Sequence, residues 1–352
     1  MRMAHMHLVP SGPRLGAVRL NKLVTHTLYG AFLALAACVL ATPAAAADAS
    51  ADTSDAGLAL LQKIQSAARE LDYSGIYTYQ QGAVMLSSRI VHIVDGTGER
   101  ERIEMLDGAP REFIRHNEVT QCLIPEKKAI VLEKRRGDRF PALILGDGLH
   151  IPDHYHIKTG AAKARIAGRE CSIVELVPKD GHRYGYKLCA DTETHLLLKA
   201  QTVGPDGMVD QMSFNSLEVG GQAAAAQVNS SWNTKGWKVV ETPMTPVDLA
   251  QRGWRIPQPP GFEAVTQVSR SMKRGKQVNQ LVITDGLAAI SVFIESYEPS
   301  SQPPPTGALR AGAMNVFQTR IGDYWLTTLG EVPAATLRDI AERTEYVPLA
   351  RH

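Results

Sequence analysis

Apolar and polar positions change period once near the start of the chain. Leu58, Leu61, Ile64, Ala68 and Leu71 recur at spacings of three and four, which places one apolar stripe on a helix. Asp55 stands where an N-cap would, and the small polar stretch 48–55 reads as a disordered lead-in. From Tyr73 to Val219 the period is two or the residues are β-branched. Candidate strands are 73–81, 84–94, 100–106, 111–117, 119–124, 128–134, 165–177, 183–190, 195–203 and 208–219. Asp95-Gly96, Asp107-Gly108, Asp180-Gly181 and Asp206-Gly207 punctuate them, a dipeptide suited to hairpin turns because it tolerates positive φ. Segment 140–158, with Pro141, Gly146, Gly148 and Pro152, breaks the rhythm and reads as a loop with a short helix. Many consecutive strands and one helix predict a large curved sheet with the helix on its concave side, leaving an apolar hollow wherever the helix does not fill it.

Residues 222–251 change character. Gly220-Gly221, an alanine run, Pro243 and Pro246 read as a linker with little core of its own. Strand-like runs resume at 264–273, 276–284, 287–296, 313–321 and 323–331, and Pro333 opens a closing helix at its N1 position, with Leu337, Ile340 and Ala341 on one side. The division is therefore a first domain over 48–221, a linker over 222–251 and a small α+β domain over 252–352. The fold class is mainly β with some α.

The N-terminus changes the picture. Arg2, Arg14, Arg19 and Lys22 precede an apolar stretch from Leu28 to Ala41, and small residues at 43–47 precede Asp48. That order describes a secretory signal peptide over 1–47, cleaved near Ala47. Leu35-Ala36-Ala37-Cys38 gives a rival reading, lipid attachment at Cys38. Without the leader, 34 Lys and Arg face 36 Asp and Glu, a net charge of −2 against +2 for the whole chain. No global basic surface for nucleic acid results. The local run 133–139 (EKRRGDR) reads as a solvated turn.

Export makes a disulfide admissible. A hairpin folded about Asp180 sets Cys171 and Cys189 nearly opposite, within bridging range, and leaves Cys122 over. No phosphate-binding glycine loop, nucleophile elbow, zinc-protease or paired-cysteine motif occurs beyond the leader. His154-x-His156 with Asp153 lacks a third and fourth ligand, so neither a metal nor a cofactor is expected. The chain reads as a binding protein and not an enzyme. Tyr73, Tyr77 and Tyr79, echoed by Tyr184 and Tyr186, give one sheet face an aromatic body with polar tips. Two roles fit that face, a filled core or a hollow for an amphipathic ligand. The candidate hollow comprises Leu61, Ile64, Tyr77, Tyr79, Ile90, Tyr184 and Tyr186.

Several stretches together resemble a known family. They include Leu71–Gly75, Arg89–His92, Gly98–Arg102, Leu106–Glu112, Phe140-Pro141-Ala142, Asp180–Tyr186 and Leu196–Lys199. Pro260-Gly261-Phe262, Asp285–Glu295, Gly312-Ala313-x-Asn315-Val316 and Gly330–Pro333 continue the match. The family is RseB/MucB, the periplasmic regulators of the sigma-E envelope-stress response. The resemblance implies a first domain like the lipoprotein carriers, an unclosed β-barrel with helices, and a smaller α+β second domain. It implies binding to the periplasmic part of a membrane-spanning RseA/MucA-type anti-sigma factor, shielding it from the site-1 protease. Lipopolysaccharide or the acyl chains of mislocalised lipoprotein would release it, and a homo-oligomer is compatible with this role. Trp254, Phe262 and Phe293, aromatic residues of the second domain, are the candidate anti-sigma contacts. The other reading is a periplasmic lipid or lipoprotein carrier.

Overall fold

The computed structural model describes residues 48–133, 140–144, 148–220, 225–241, 243–271, 277–297 and 307–348. The leader with Cys38, and residues 134–139 of the charged run, lie outside the described residues. Helix α1 spans Asp48–Glu70. It therefore starts ahead of Asp55, which is not an N-cap, and 48–55 is helix and not a lead-in. Alanines alternate there with acidic residues, which suit the positive end of a helix dipole. The apolar stripe buries Leu61, Ile64 and Ala68.

Strands follow in one meander: β1 Tyr73–Gln81, β2 Val84–Asp95, β3 Gly98–Met105, β4 Glu112–His116, β5 Val119–Ile124 and β6 Ala129–Glu133. After the short helix α2 (Ile151–His154) come β7 Tyr155–Ile166, β8 Arg169–Pro178, β9 Gly185–Asp191, β10 Leu197–Gly204, β11 Gly207–Val219 and β12 Lys238–Glu241. They form one twelve-stranded sheet in the order β12-β6-β5-β4-β3-β2-β1-β11-β10-β9-β8-β7, whose outer strands do not pair with each other, so it is open. Helix α1 lies on one face against β7. Gly57 permits this, since a Cβ there would sit 2.4 Å from Ile157 Cγ2.

Two sequence expectations change here. Ala167 and Gly168 both have positive φ and make a tight turn, so 165–177 is two strands and not one. Segment 140–158 ends in β7, whose exposed, small-residue middle breaks register between Thr159 and Lys163 and hid the strand's period. The disulfide joins Cys171 and Cys189 with Cα atoms 5.4 Å apart. The two are diagonal and not directly opposed, because Cys171 faces Asp191 and Cys189 faces Ile173. That register offset is even, so both sulfurs stay on one face, buried beside Leu198.

Residues 225–241 are not a free tether. Val228 packs on Val91 and Ile93, and β12 adds to β6 as a parallel edge strand. Glu112, fully buried, anchors this strap. It accepts hydrogen bonds from Arg102 Nη2 (2.6 Å), Ser230 Oγ (2.6 Å), Ser231 Oγ (2.6 Å) and Ser231 N (3.3 Å). Burial alone would raise the carboxyl pKa, but these donors outweigh it and hold it below the ordinary value.

The second sheet contains β13 Met244–Pro246, β15 Glu263–Ser271, β16 Gln277–Thr284, β17 Ala289–Ser296, β18 Gly307–Ala311, β19 Met314–Ile321 and β20 Tyr324–Gly330. Its order is β13-β15-β16-β17-β20-β19-β18, and β14 (Trp254–Arg255) pairs separately with β21 (Glu345–Tyr346). Helix α3, Ala334–Arg343, covers one face, burying Leu337 and Ile340 against Leu281, Ile290, Val292 and Leu326. Pro333 is its N-cap, one place earlier than N1. Among the described residues no helix is long and apolar enough to cross a membrane.

Glu112→Ala leaves Arg102 buried without its principal partner and frees the strap, and should cost about 3 kcal/mol in urea unfolding. Because the folded carboxyl is held low, the advantage of the wild type over Glu112→Gln should be complete above the ordinary carboxylate pKa. It should vanish as pH falls through the depressed folded value, which unfolding curves across acid pH will show.

Candidate functional site

The proposed hollow is built from residues that mostly fill it themselves. Leu61, Ile64, Tyr77, Ile90 and Tyr186 all lie in the first sheet's core cluster, each at most 9% exposed. Phe140, from the segment before α2, sits between Tyr77 and Phe214 at ring separations of 5.4 and 5.1 Å. Ile144 and Ile151 close the same space. Tyr73, stacked on His92 at 4.8 Å, gives its hydroxyl to Ala68 O and so ties α1 to the sheet. The concave face is thus packed core here, because Phe140, Ile144 and Ile151 lie over it.

Tyr79 and Tyr184 have another role. Both stand where the first sheet meets the end of the second. Tyr79 OH donates to Asp210 Oδ2 (2.9 Å), which also accepts Ala313 N–H (2.8 Å) from the β18–β19 turn. Gln81 Nε2 donates to Ala311 O at 2.7 Å. Gly312, at φ +59°, lets the turn approach, since a Cβ there would lie 2.2 Å from Asp210 Oδ1. Asn315 Nδ2 donates to Tyr184 OH (3.0 Å) and Val332 O (2.8 Å). Glu331 stands near Asp210, and burial first, then the Asp210 charge, raises its pKa.

The centre of this seam is an ion pair with no exposed side-chain surface. Arg183 Nη1 donates to Asp285 Oδ2 at 2.7 Å, and Tyr155 OH donates to the same oxygen at 3.0 Å. Asp285 Oδ1 accepts the N–H groups of Leu287 and Ala288. Arg183 also reaches Pro260 O and Asp180, with its guanidinium 5.0 Å from the Phe262 ring centroid and 5.6 Å from that of Tyr155. Burial works against the guanidinium charge, but Asp180 and Asp285 overcome it and raise its pKa. Burial, then Tyr186 and Asp285, pushes the Tyr155 phenol far up.

Of the aromatic contact candidates, Trp254 (4% exposed) and Phe262 (3%) are core residues of the second sheet with little surface for a partner. Phe293 is half-buried and faces Gln280 and Thr327 across its neighbours, on the side away from α3. His154 ends α2 and His156 is the second residue of β7, so the pair does not share a strand face. Among the described residues no cluster of three or more metal-ligating side chains forms.

An open, mainly β sheet with a filled concave face, joined to a second sheet by a buried polar seam, defines a two-module binding scaffold. Family models place the chain. The MucB/RseB N-terminal domain matches residues 56–232 and the MucB/RseB C-terminal domain matches 248–345. The chain belongs to the MucB/RseB family. It is 28% identical to the sigma factor AlgU regulatory protein MucB of Pseudomonas aeruginosa, over 88% of this chain and 95% of that one. It is 26% identical to the sigma-E factor regulatory protein RseB of Escherichia coli K12, over 85% and 93%. A solved structure of MucB in complex with MucA(peri) matches with a TM-score of 0.65 and 27% identity, covering 85% of this chain and all of that one.

Sequence reasoning missed Arg183, Asp210, Asp285 and Asn315 as the residues that join the sheets. A signal was present, since three of them lie in the stretches that carry the family resemblance.

Arg183→Ala should cost about 3–5 kcal/mol by stranding Asp285 in the seam, and a double replacement of both by apolar residues should recover much of it in thermal melts. Glu331, with its pKa raised in the seam, should favour the closed joint below the ordinary carboxylate pKa. That contribution should be lost as pH rises through the raised value. Glu331→Gln should remove this dependence, read as proteolytic susceptibility of the seam as pH rises above the ordinary carboxylate pKa.

Proposed function

We propose that this chain is a periplasmic regulator that binds the periplasmic part of a transmembrane RseA/MucA-type anti-sigma factor and shields it from site-1 proteolysis. Envelope-stress ligands, lipopolysaccharide or mislocalised lipoprotein, release it, and it has no catalytic role. The observation that carries this reading is likeness across both modules to MucB, a relative solved in complex with MucA(peri). We read the first sheet with α1 as a lipoprotein-carrier-like unclosed barrel over 48–221, and residues 252–352 as an α+β domain. Cleavage near Ala47 delivers the chain to the periplasm. Phe293, on the less covered side of the second sheet, is the aromatic candidate with surface to offer the anti-sigma segment. Cys171–Cys189 fits an oxidising compartment.

Pull-down with the periplasmic segment of the genome's anti-sigma factor should capture the chain, and adding the chain should slow site-1 cleavage of that segment. Absence of both effects would sink the reading. Acyl-chain binding without segment binding would instead favour a lipid carrier, which the filled concave face argues against.

A further inference from the structure

The strap fixed by Glu112 carries a surface that neither the seam nor the core uses. Trp232 and Trp237 stack with ring centroids 6.2 Å apart and their planes within 24°, both half-buried on a turn. The turn is tight and built. Trp237 N–H donates to Thr234 O, Lys235 N–H to Asn233 Oδ1, and Gly236 takes φ +78°. Trp232 N–H donates to Ser230 Oγ, whose hydrogen goes to Glu112, so the aromatic pair stands on the buried carboxylate.

Cations surround it. Lys235 and Lys238 are exposed on the turn itself. The backbone of Lys238 donates to Lys128 O, which brings exposed Lys127 and Lys128 of the β5–β6 turn alongside. None of these four lysines has an ion pair among the described residues. The nearby Glu126 is held by both terminal nitrogens of Arg111, and Asp107 accepts Ser87 N–H. Apolar side chains stand out on the same rim. Val239 is 57% exposed, next to the turn. Strand register places the β1–β2, β3–β4 and β5–β6 turns at this one end of the sheet, with Met85 62% exposed there.

We propose that the Trp232–Val239 turn, with Lys127 and Lys128 beside it, is a peripheral docking surface for an anionic phospholipid bilayer. Indole rings favour the headgroup region because one end is apolar and the other donates a hydrogen bond. Each lysine near such a surface multiplies partitioning roughly fivefold, through a field that salt screens. A preformed turn loses little entropy on docking. The surface would hold the protein beside a membrane whether or not it meets a protein partner, so the inference does not draw on the anti-sigma reading.

The test uses the exported chain, residues 48–352, with vesicles of mixed phosphatidylglycerol and phosphatidylcholine against phosphatidylcholine alone. Co-sedimentation should be selective for the mixed vesicles and should fall with added salt. Tryptophan emission should shift to the blue on binding, and the shift should be lost in a Trp232→Phe, Trp237→Phe double variant. Reversing Lys127, Lys128, Lys235 and Lys238 to glutamate should weaken binding at least roughly hundredfold while the thermal melt stays in place. If that variant misfolds, Lys235→Glu with Lys238→Glu carries the test at a smaller loss. Equal partitioning onto both vesicle types, or unchanged binding after charge reversal, overturns the proposal. So would capture of acidic peptides by the same lysines without vesicle binding.

Discussion

Arg183 and Asp285 meet with neither side chain exposed, and this pair decides how the two sheets stand to one another. A buried ion pair loses hydration that its mutual attraction only partly returns, so its contribution to net stability is small unless every other donor and acceptor is satisfied. Here they are supplied. Asp285 takes two backbone amides of its own turn and the Tyr155 hydroxyl, while Arg183 takes Asp180 and a backbone carbonyl. Removing either charge strands the other in a dry site. The pair therefore acts less as glue than as an orientation rule, because an arrangement that kept both groups buried but apart would leave each charge unpaired. Leu287, two residues from Asp285, joins the first sheet's core, so the same turn carries both the charge and an apolar plug.

The filled concave face bears on how a stress ligand would act. An acyl chain entering between α1 and the sheet must displace Phe140, Ile144 or Ile151, and Ile151 belongs to the short helix that runs directly into Tyr155. Tyr155 gives its hydroxyl to Asp285. Core filling and seam geometry thus share one short segment. Linkage requires that a ligand favouring one arrangement of that segment lower the affinity of whatever binds the other by the same factor. Contiguity alone does not measure this coupling, but it names the element through which it would run.

How much of this was readable beforehand depended on whether a signal was local. The period-two runs and Asp-Gly turns located most strands of the first sheet and the five long strands of the second, because alternation and turn chemistry act within a few residues. The short β12, β13, β14, β18 and β21 gave no such signal. β7 escaped because its middle is small and exposed, so one face never declared itself apolar. Asp55 misled because alanine and early acidic residues extend a helix as readily as they precede one. The cysteines were assigned to one hairpin, but their register lay off by an even step that keeps them on one face. Tyrosine spacing could not say whether a face is hollow or full, since the filler comes from Phe140, far along the chain. Trp254 and Phe262 looked like contacts for the same reason, as aromatic content carries no sign of which side is covered. The seam joins Arg183 to Asp285 across 102 residues, and no local pattern links those two positions.

The strap changes where motion between the sheets can arise. A loose tether over 222–251 would let the second sheet move freely about the first. Instead Val228, the Glu112 clamp and β12 bind residues 225–241 to the first sheet, and β13 already belongs to the second. β12 ends at Glu241 and β13 starts at Met244, so just Thr242 and Pro243 lie between strands of different sheets. So short a sequence separation limits how far the two strand ends can part. Reorientation large enough to part the sheets would break both the Arg183–Asp285 and the Asp210–Ala313 contacts. Two arrangements separated by a cooperative break are what a switch needs, since a ligand can bias discrete states but cannot usefully bias a continuum.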